Sequence, residues 1–183
     1  MRVWFLKETQ SLCTGCATGC NTVIGSRENK MYRQEPREND AVNGPWMCDS
    51  GRLDYKWIGS EKRLKEVRSQ NSEARNWDSV IAEIGGKLEG AAAGSVAIVA
   101  SARQTNEELY LLKKLADKFE AITDSVPRNG EGDHLLVNAD KNPNSNGARL
   151  IGIAGETLGA NLPPIAEGIE SGAITTLIVF GED

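Results

Sequence analysis

The chain has little histidine, few aromatic residues and no long apolar run. Of its 183 residues, one is a histidine and 5% are aromatic. The longest apolar runs, such as 96–100, are far too short to cross a bilayer. The net charge is −5 and no dense basic stripe is present, which disfavours nucleic acid as a partner. We therefore expect no direct membrane insertion and no nucleic-acid partner.

Residues 1–58 have few of the apolar side chains that a core requires. The first seven residues contain no apolar stretch of signal-peptide length, so we expect a cytoplasmic protein. A polar, turn-rich segment of about sixty residues normally needs a staple, and a metal cluster is a natural one. The prediction is a small, β-rich domain over 1–58. Its strands are predicted at 3–6, 21–26 and 31–35, with a turn at 27–30.

Residues 59–183 alternate between helical and strand patterns. A charged stretch, 61–75, is predicted to be a solvated connector. The helices are predicted at 77–89, after the capping box Thr105-Asn106-Glu107-Glu108, and at 163–171. The strands are predicted at 95–100, 134–138 and 175–180.

This alternation predicts the α/β fold class. Strand, helix, strand is the rhythm of βαβ units, so a parallel sheet with flanking helices is expected over 59–183. A complete doubly wound domain has more strands than this segment supplies. We therefore expect a partial α/β domain, belonging to a longer protein.

All four cysteines lie in the first predicted domain: Cys13, Cys16, Cys20 and Cys48. Their spacing is C-x2-C-x3-C-x27-C. Small residues between the first three let the backbone pass close to a metal, and the distant fourth closes the site. The donor set fits a [4Fe–4S] cluster or a tetrahedral zinc ion. Zinc ribbons usually offer two C-x2-C pairs, so one pair plus two single cysteines favours the cluster. Disulfides suit small secreted proteins and are a third alternative.

A family resemblance follows from this spacing together with Leu6-Lys7-Glu8-Thr9 before the first cysteine and Cys48-Asp49-Ser50-Gly51-Arg52 around the last. The segment resembles the N-terminal [4Fe–4S] domain, of the Mo/W bis-MGD type, of the molybdopterin oxidoreductase family. The G subunit of the NADH–quinone oxidoreductases, respiratory complex I, belongs to that family. Segments 101–108, 139–144 and 172–177 are similar to family segments of the following α/β domain. The resemblance implies that the four cysteines ligate a [4Fe–4S] cluster.

Position 50 separates two branches of the resemblance. Molybdenum enzymes of the family typically have a Lys two residues after the fourth cysteine, between cluster and pterin, whereas this chain has Ser50. No cysteine follows Cys48 that would ligate molybdenum, an absence that truncation of a longer protein also explains. The resemblance therefore favours an electron-transfer or structural role of the complex I type, without molybdopterin guanine dinucleotide and without a catalytic residue in this chain. It implies partner subunits of a respiratory complex on the cytoplasmic side of the membrane.

Two other functions stay open. One is the N-terminal part of a molybdopterin-dependent oxidoreductase such as a formate dehydrogenase. The other is a structural zinc module.

Several further residues carry alternative interpretations. Arg52 and Lys56 either steady the charge of the cluster or are ordinary surface bases. The lone His134 is predicted to be structural or exposed and not a metal ligand. Asp140–Asn144 is typical of a turn first and of a pterin-site remnant second. Three tryptophans near the cysteines are predicted to shield the site from water: Trp4, Trp46 and Trp57.

Overall fold

The computed structural model describes residues 2–64, 66–68, 74–133 and 135–182. Its first sheet is antiparallel, with the strands β1 (Lys7–Leu12), β2 (Asn21–Arg27) and β3 (Lys30–Pro36) in that spatial order. Glu28 and Asn29, with φ of 51° and 58°, form the turn between β2 and β3. Positive φ at both central residues matches the twist of a two-residue hairpin. The predicted hairpin is confirmed, with strands one or two residues longer than expected.

The predicted strand at 3–6 is wrong. Val3–Phe5 is a 3-10 helix, closed by the bond from the Leu6 amide to the Val3 carbonyl at 2.9 Å. Pairing with β2 begins only at Lys7, opposite Ser26. The apolar side chains of Val3–Phe5 are exposed. The apolar pattern indicated a strand at 3–6, whereas the first strand, β1, begins at Lys7.

A short helix and a connector follow the first sheet. The helix α1 spans Asp49–Leu53, and a 3-10 helix covers Lys56–Gly59. The described part of the connector predicted at 61–75 contains two paired strands, β4 (Val67–Arg68) and β5 (Ala74–Arg75).

The second half of the chain is built on a parallel three-stranded sheet. Its strands are β6 (Val96–Ala100), β7 (Ile122–Asp124) and β8 (Thr176–Phe180), and β6 lies in the middle. The helices are α2 (Trp77–Glu89), α3 (Asn106–Phe119), α4 (Ser145–Ile151) and α5 (Leu162–Glu170). The predicted α/β fold class with a parallel sheet is confirmed. All five residues of β6 are buried, as its unbroken apolar run indicated.

Two helices begin where the sequence predicts. Asn76 caps α2 by accepting a bond from the Ser79 amide at 3.2 Å. Thr105 accepts from the Glu108 amide at 3.3 Å, and the Glu108 carboxylate accepts from the Thr105 amide at 2.8 Å. This reciprocal pair is a complete capping box.

The predicted strand at 134–138 is also wrong. Residues 135–138 form a loop, and His134 lies outside the described residues. The amides of Leu135, Leu136 and Val137 all donate to one carboxylate oxygen of Asp133, at 2.8–2.9 Å. These bonds hold the pKa of Asp133 down at about 2. The strand of the sheet is instead β7, which follows the left-handed C-cap of α3 at Glu120.

The two sheets differ in how much apolar material packs against them. Three groups of buried apolar side chains surround the parallel sheet, whereas one small group, Cys13, Cys20 and Met47, lies beside the antiparallel sheet. In the part of the chain that the structure describes, the helices are all too short or too polar to span a membrane.

Candidate metal centre

The four cysteines line one cavity of about 230 Å³, which we call the cysteine cavity. Cys13, Cys16 and Cys20 lie on the loop between β1 and β2, and Cys48 is the N-cap of α1. The first three are buried and the fourth is half-buried. The structure therefore brings together all four residues that the sequence singled out. The other residues on the cavity wall are Gly15, Met47, Ser50, Gly51, Asp54, Val137 and Lys141.

Two sets of hydrogen bonds shape the cavity. The Cys13 amide donates to the Cys20 carbonyl at 2.8 Å and closes the cysteine loop. The buried Asn43 side chain accepts from the Asn21 amide at 2.9 Å and donates to the Trp46 carbonyl at 3.0 Å. Asn43 thereby ties the chain that leads to Cys48 against the start of β2. Asn43 was not predicted from the sequence, because a single Asn in a polar loop has no distinctive pattern.

Gly51 leaves the space that two of the sulfurs occupy. Its amide donates to Cys48 Sγ at 3.3 Å. A Cβ at position 51 would stand 2.9 Å from Cys13 Sγ and 3.3 Å from Met47 Cε, closer than ordinary packing permits. Only glycine fits here without a shift of its neighbours. An amide aimed at a thiolate sulfur is also one of the contacts that tune iron–sulfur centres.

Burial works against free thiolates on this loop. Burial, followed by the charges of the other cysteines, raises the pKa of Cys20 to about 11. Burial is also the largest cause that raises the pKa of Cys13. For Cys16, burial raises the pKa, but the hydrogen bonds that it makes with Thr18 and the Asn138 backbone, together with the charge of Lys141, outweigh burial and leave the pKa lowered. A bound metal cation takes the place of the thiol protons and stabilises the buried thiolates.

The cysteine cavity fits a group larger than a single ion. Its volume is several times the roughly 30 Å³ that a water molecule takes up in the liquid. Among the described residues, no group of three His, Cys, Asp or Glu side chains is placed to hold one metal ion. Four cysteine thiolates around a shared space are the donor set of a [4Fe–4S] cluster.

A loop from the second half of the chain forms one wall of the cavity. We call residues 135–141 the wall segment. Its Asp140 carbonyl accepts from the Ala17 amide at 2.8 Å, and its Leu136 carbonyl accepts from Thr18 Oγ1 at 3.1 Å. Asp140 also accepts from the Asn142 amide at 2.9 Å, so the predicted turn is confirmed. The sequence indicated the turn but not its contact with the cysteine loop.

The predicted tryptophan shield is largely wrong. Trp4 and Trp46 are 70% and 67% exposed and are absent from the described wall of the cysteine cavity. Trp57 lines a neighbouring cavity that shares Cys13. Arg52 and Lys56 lie within the described range 2–64 but are not part of the cavity wall. Proximity in sequence to the cysteines was therefore a poor guide to which residues line the cavity.

Residues 6–56 match a family model described as NADH-ubiquinone oxidoreductase NDSU1/NuoG-like, 4Fe-4S domain. This part of the chain is therefore similar to the 4Fe–4S domain of NuoG-like proteins. The matched range contains the whole antiparallel sheet, α1 and all four cysteines. The resemblance inferred from the cysteine spacing is therefore confirmed, and the NuoG-like domain is of the [4Fe–4S] type.

Similarity to curated proteins extends beyond this domain. The chain is 34% identical over 113 residues to the F420-dependent formate dehydrogenase 2 subunit alpha of Methanococcus maripaludis, covering 60% of this chain and 17% of that protein. It is 29% identical over 114 residues to the NADH-quinone oxidoreductase G subunit of Pseudomonas fluorescens, covering 62% and 12%. A probable oxidoreductase of Bacillus subtilis, YjgC, is 31% identical over 123 residues, covering 63% and 12%. The chain thus spans less than a fifth of the length of these relatives.

Proposed function

We propose that Cys13, Cys16, Cys20 and Cys48 ligate a [4Fe–4S] cluster in a NuoG-like component of an NADH–quinone oxidoreductase. The observation that carries the proposal is that all four cysteines line one cavity within the range that matches the NuoG-like model. When bound, such a cluster supplies reversible uptake of one electron. The role of this chain is electron transfer or cluster-supported structure.

The residues of the chain would hold the cluster in three ways. The four thiolates ligate it, the Gly51 amide donates to the Cys48 sulfur, and the buried loop excludes water. Solvent exposure and hydrogen bonds to sulfur are the features by which a protein sets the potential of a cluster.

We further propose the organisation and setting of the protein. Residues 1–58 would be the cluster domain and residues 59–183 part of an α/β domain of the molybdopterin oxidoreductase type. Several relatives are named as subunits, which supports partner subunits for this chain. In this proposal the protein is peripheral on the cytoplasmic side of the membrane, and electrons arrive from NADH through centres outside this chain.

The second candidate is the N-terminal part of a formate dehydrogenase, favoured by the relatives that have that name. Ser50 distinguishes the two candidates. It lines the cysteine cavity at the position where the molybdenum enzymes of the family typically have a Lys. A serine there supplies no positive charge toward a pterin, so we place the NuoG-like function first.

Anaerobic purification with iron, sulfide, zinc and molybdenum analysis tests these candidates together. We expect about four iron and about four sulfide per chain, because one [4Fe–4S] cluster needs four cysteines. One zinc per chain without labile sulfide would contradict the proposal and support a structural zinc module. Stoichiometric molybdenum with a pterin would instead support the formate dehydrogenase candidate.

A further inference from the structure

Lys141 brings a positive charge to the cysteine cavity. It belongs to the wall segment, more than ninety positions after Cys48 in the sequence, yet it lines the same cavity. Among the described residues on that wall, Lys141 is the one cation and Asp54 is the one carboxylate. Ser50, by contrast, brings no charge.

The side chain of Lys141 is held in place and is not a loose surface lysine. Its ammonium donates to the carbonyls of Glu131 at 2.6 Å and Asn138 at 2.8 Å. These bonds use two of its three donors. The carbon stem lies so close to Gly130 that a Cβ there would stand 2.6 Å from Lys141 Cε. Hydrogen bonds and packing therefore fix the position of the Lys141 side chain.

The wall segment that carries Lys141 is attached to the cysteine loop itself. The bonds from Ala17 to Asp140 and from Thr18 to Leu136 fix the distance between the two. The Lys141 amide also donates to the Arg128 carbonyl at 2.7 Å, which ties the lysine to the α/β part. The backbone that carries Lys141 is therefore hydrogen-bonded both to the cysteine loop and to Arg128.

We propose that Lys141 is a positioning residue that raises the reduction potential of the cluster. The inference rests on the proposed function, since it requires a cluster on the four cysteines. Reduction adds one negative charge to the cluster, and a fixed cation on the cavity wall stabilises that added charge. The second half of the chain thereby sets a property of the cluster domain. The positive charge comes from Lys141 on the wall segment, whereas position 50 is a serine.

The test is a redox titration of the cluster in the Lys141→Gln variant, with electron paramagnetic resonance as the measure of the reduced cluster. Loss of the charge is expected to shift the equilibrium on the order of tenfold toward the oxidised cluster. For one electron, tenfold corresponds to about 59 mV, toward more negative potential. Matched controls are Lys56→Gln and Arg52→Gln, which remove the same charge near the cysteines in sequence but outside the cavity wall. These controls are expected to keep the wild-type potential.

The titration and the iron and sulfide content together distinguish a failure of the Lys141 inference from a failure of the proposed function. Full iron and sulfide content in Lys141→Gln with the same potential as the controls would overturn the inference and leave the proposed function intact. A wild-type protein without iron and sulfide would instead overturn the proposed function. If Lys141→Gln assembles no cluster, Lys141→Arg decides. Retention of cluster and potential in the Arg variant supports a charge role, and equal loss in both variants shows a packing role and contradicts the inference.

Discussion

Gly51 shows how the absence of a side chain shapes this centre. It sits in the first turn of α1, where an alanine would be compatible with the helix backbone. What prohibits a larger residue is the contact with Cys13 Sγ and Met47 Cε, not the conformation of the chain. A clash of this kind in a packed site costs about 1–3 kcal/mol. The small size of Gly51 therefore leaves room for Cys13, one of the proposed ligands.

Gly51→Ala is expected to reduce the iron content of the purified protein to about half or less, because a 1–3 kcal/mol clash disfavours the ligand arrangement. Gly59→Ala is the matched control, since that glycine also lies in a short helix but has open space around it. The measurement is iron and sulfide per chain after anaerobic reconstitution. Equal iron content in both variants would show that the cysteine loop moves aside freely.

At the scale of single elements, α3 has the strongest local signal in the chain. Its start is set by the reciprocal bonds of Thr105 and Glu108, and Leu109 and Leu112 then pack into the core beside β6. Local capping and the apolar face indicate the same start, so this helix could be predicted without the fold. The strand β7 had no comparable signal, because its three residues are too short to show a period.

Glu108→Ala is expected to lower the free energy of unfolding by about 0.5–1 kcal/mol more than Glu107→Ala. Both variants remove one negative charge from the first turn of α3, so the favourable interaction with the helix dipole is lost equally. Only Glu108 also loses a capping bond to the Thr105 amide. Urea titration followed by circular dichroism measures the difference. Identical unfolding curves would mean that the capping box adds nothing.

At the scale of the whole molecule, the two sheets depend on different sources of stability. Buried apolar groups pack on both faces of the parallel sheet. Beside the antiparallel sheet, two of the three residues in the buried group are cysteines of the cavity. A segment with so little core needs a staple, and in this protein the proposed ligands occupy the place of a core.

Removal of the cluster should therefore loosen the two halves unequally. We expect faster amide hydrogen exchange in β1–β3 of the Cys48→Ser variant or of chelator-treated protein, while β6 keeps its protection. Hydrogen exchange with mass spectrometry, on protein with and without iron, makes the comparison. Unchanged exchange in β1–β3 would contradict the staple argument, and equal loosening of β6 would show that the halves unfold together.

Local patterns in the chain were enough to specify the proposed ligand set and the architecture. The C-x2-C-x3-C-x27-C spacing and the family resemblance that it supports indicated Cys13, Cys16, Cys20 and Cys48. Alternating strand and helix patterns predicted the parallel sheet. The cysteines lie within positions 13–48, and each strand or helix pattern is local to its own segment.

The surroundings of the cysteines, by contrast, depend on the tertiary fold. Lys141 reaches the cavity through a loop that the sequence predicted as a strand in part, and Gly51 matters through a contact with a sulfur thirty-eight positions earlier. Trp4 and Trp46, close to the cysteines in sequence, are solvent-exposed. The physical reason is that the wall of a cavity is set by packing between distant segments, and such contacts leave no periodic pattern in the chain.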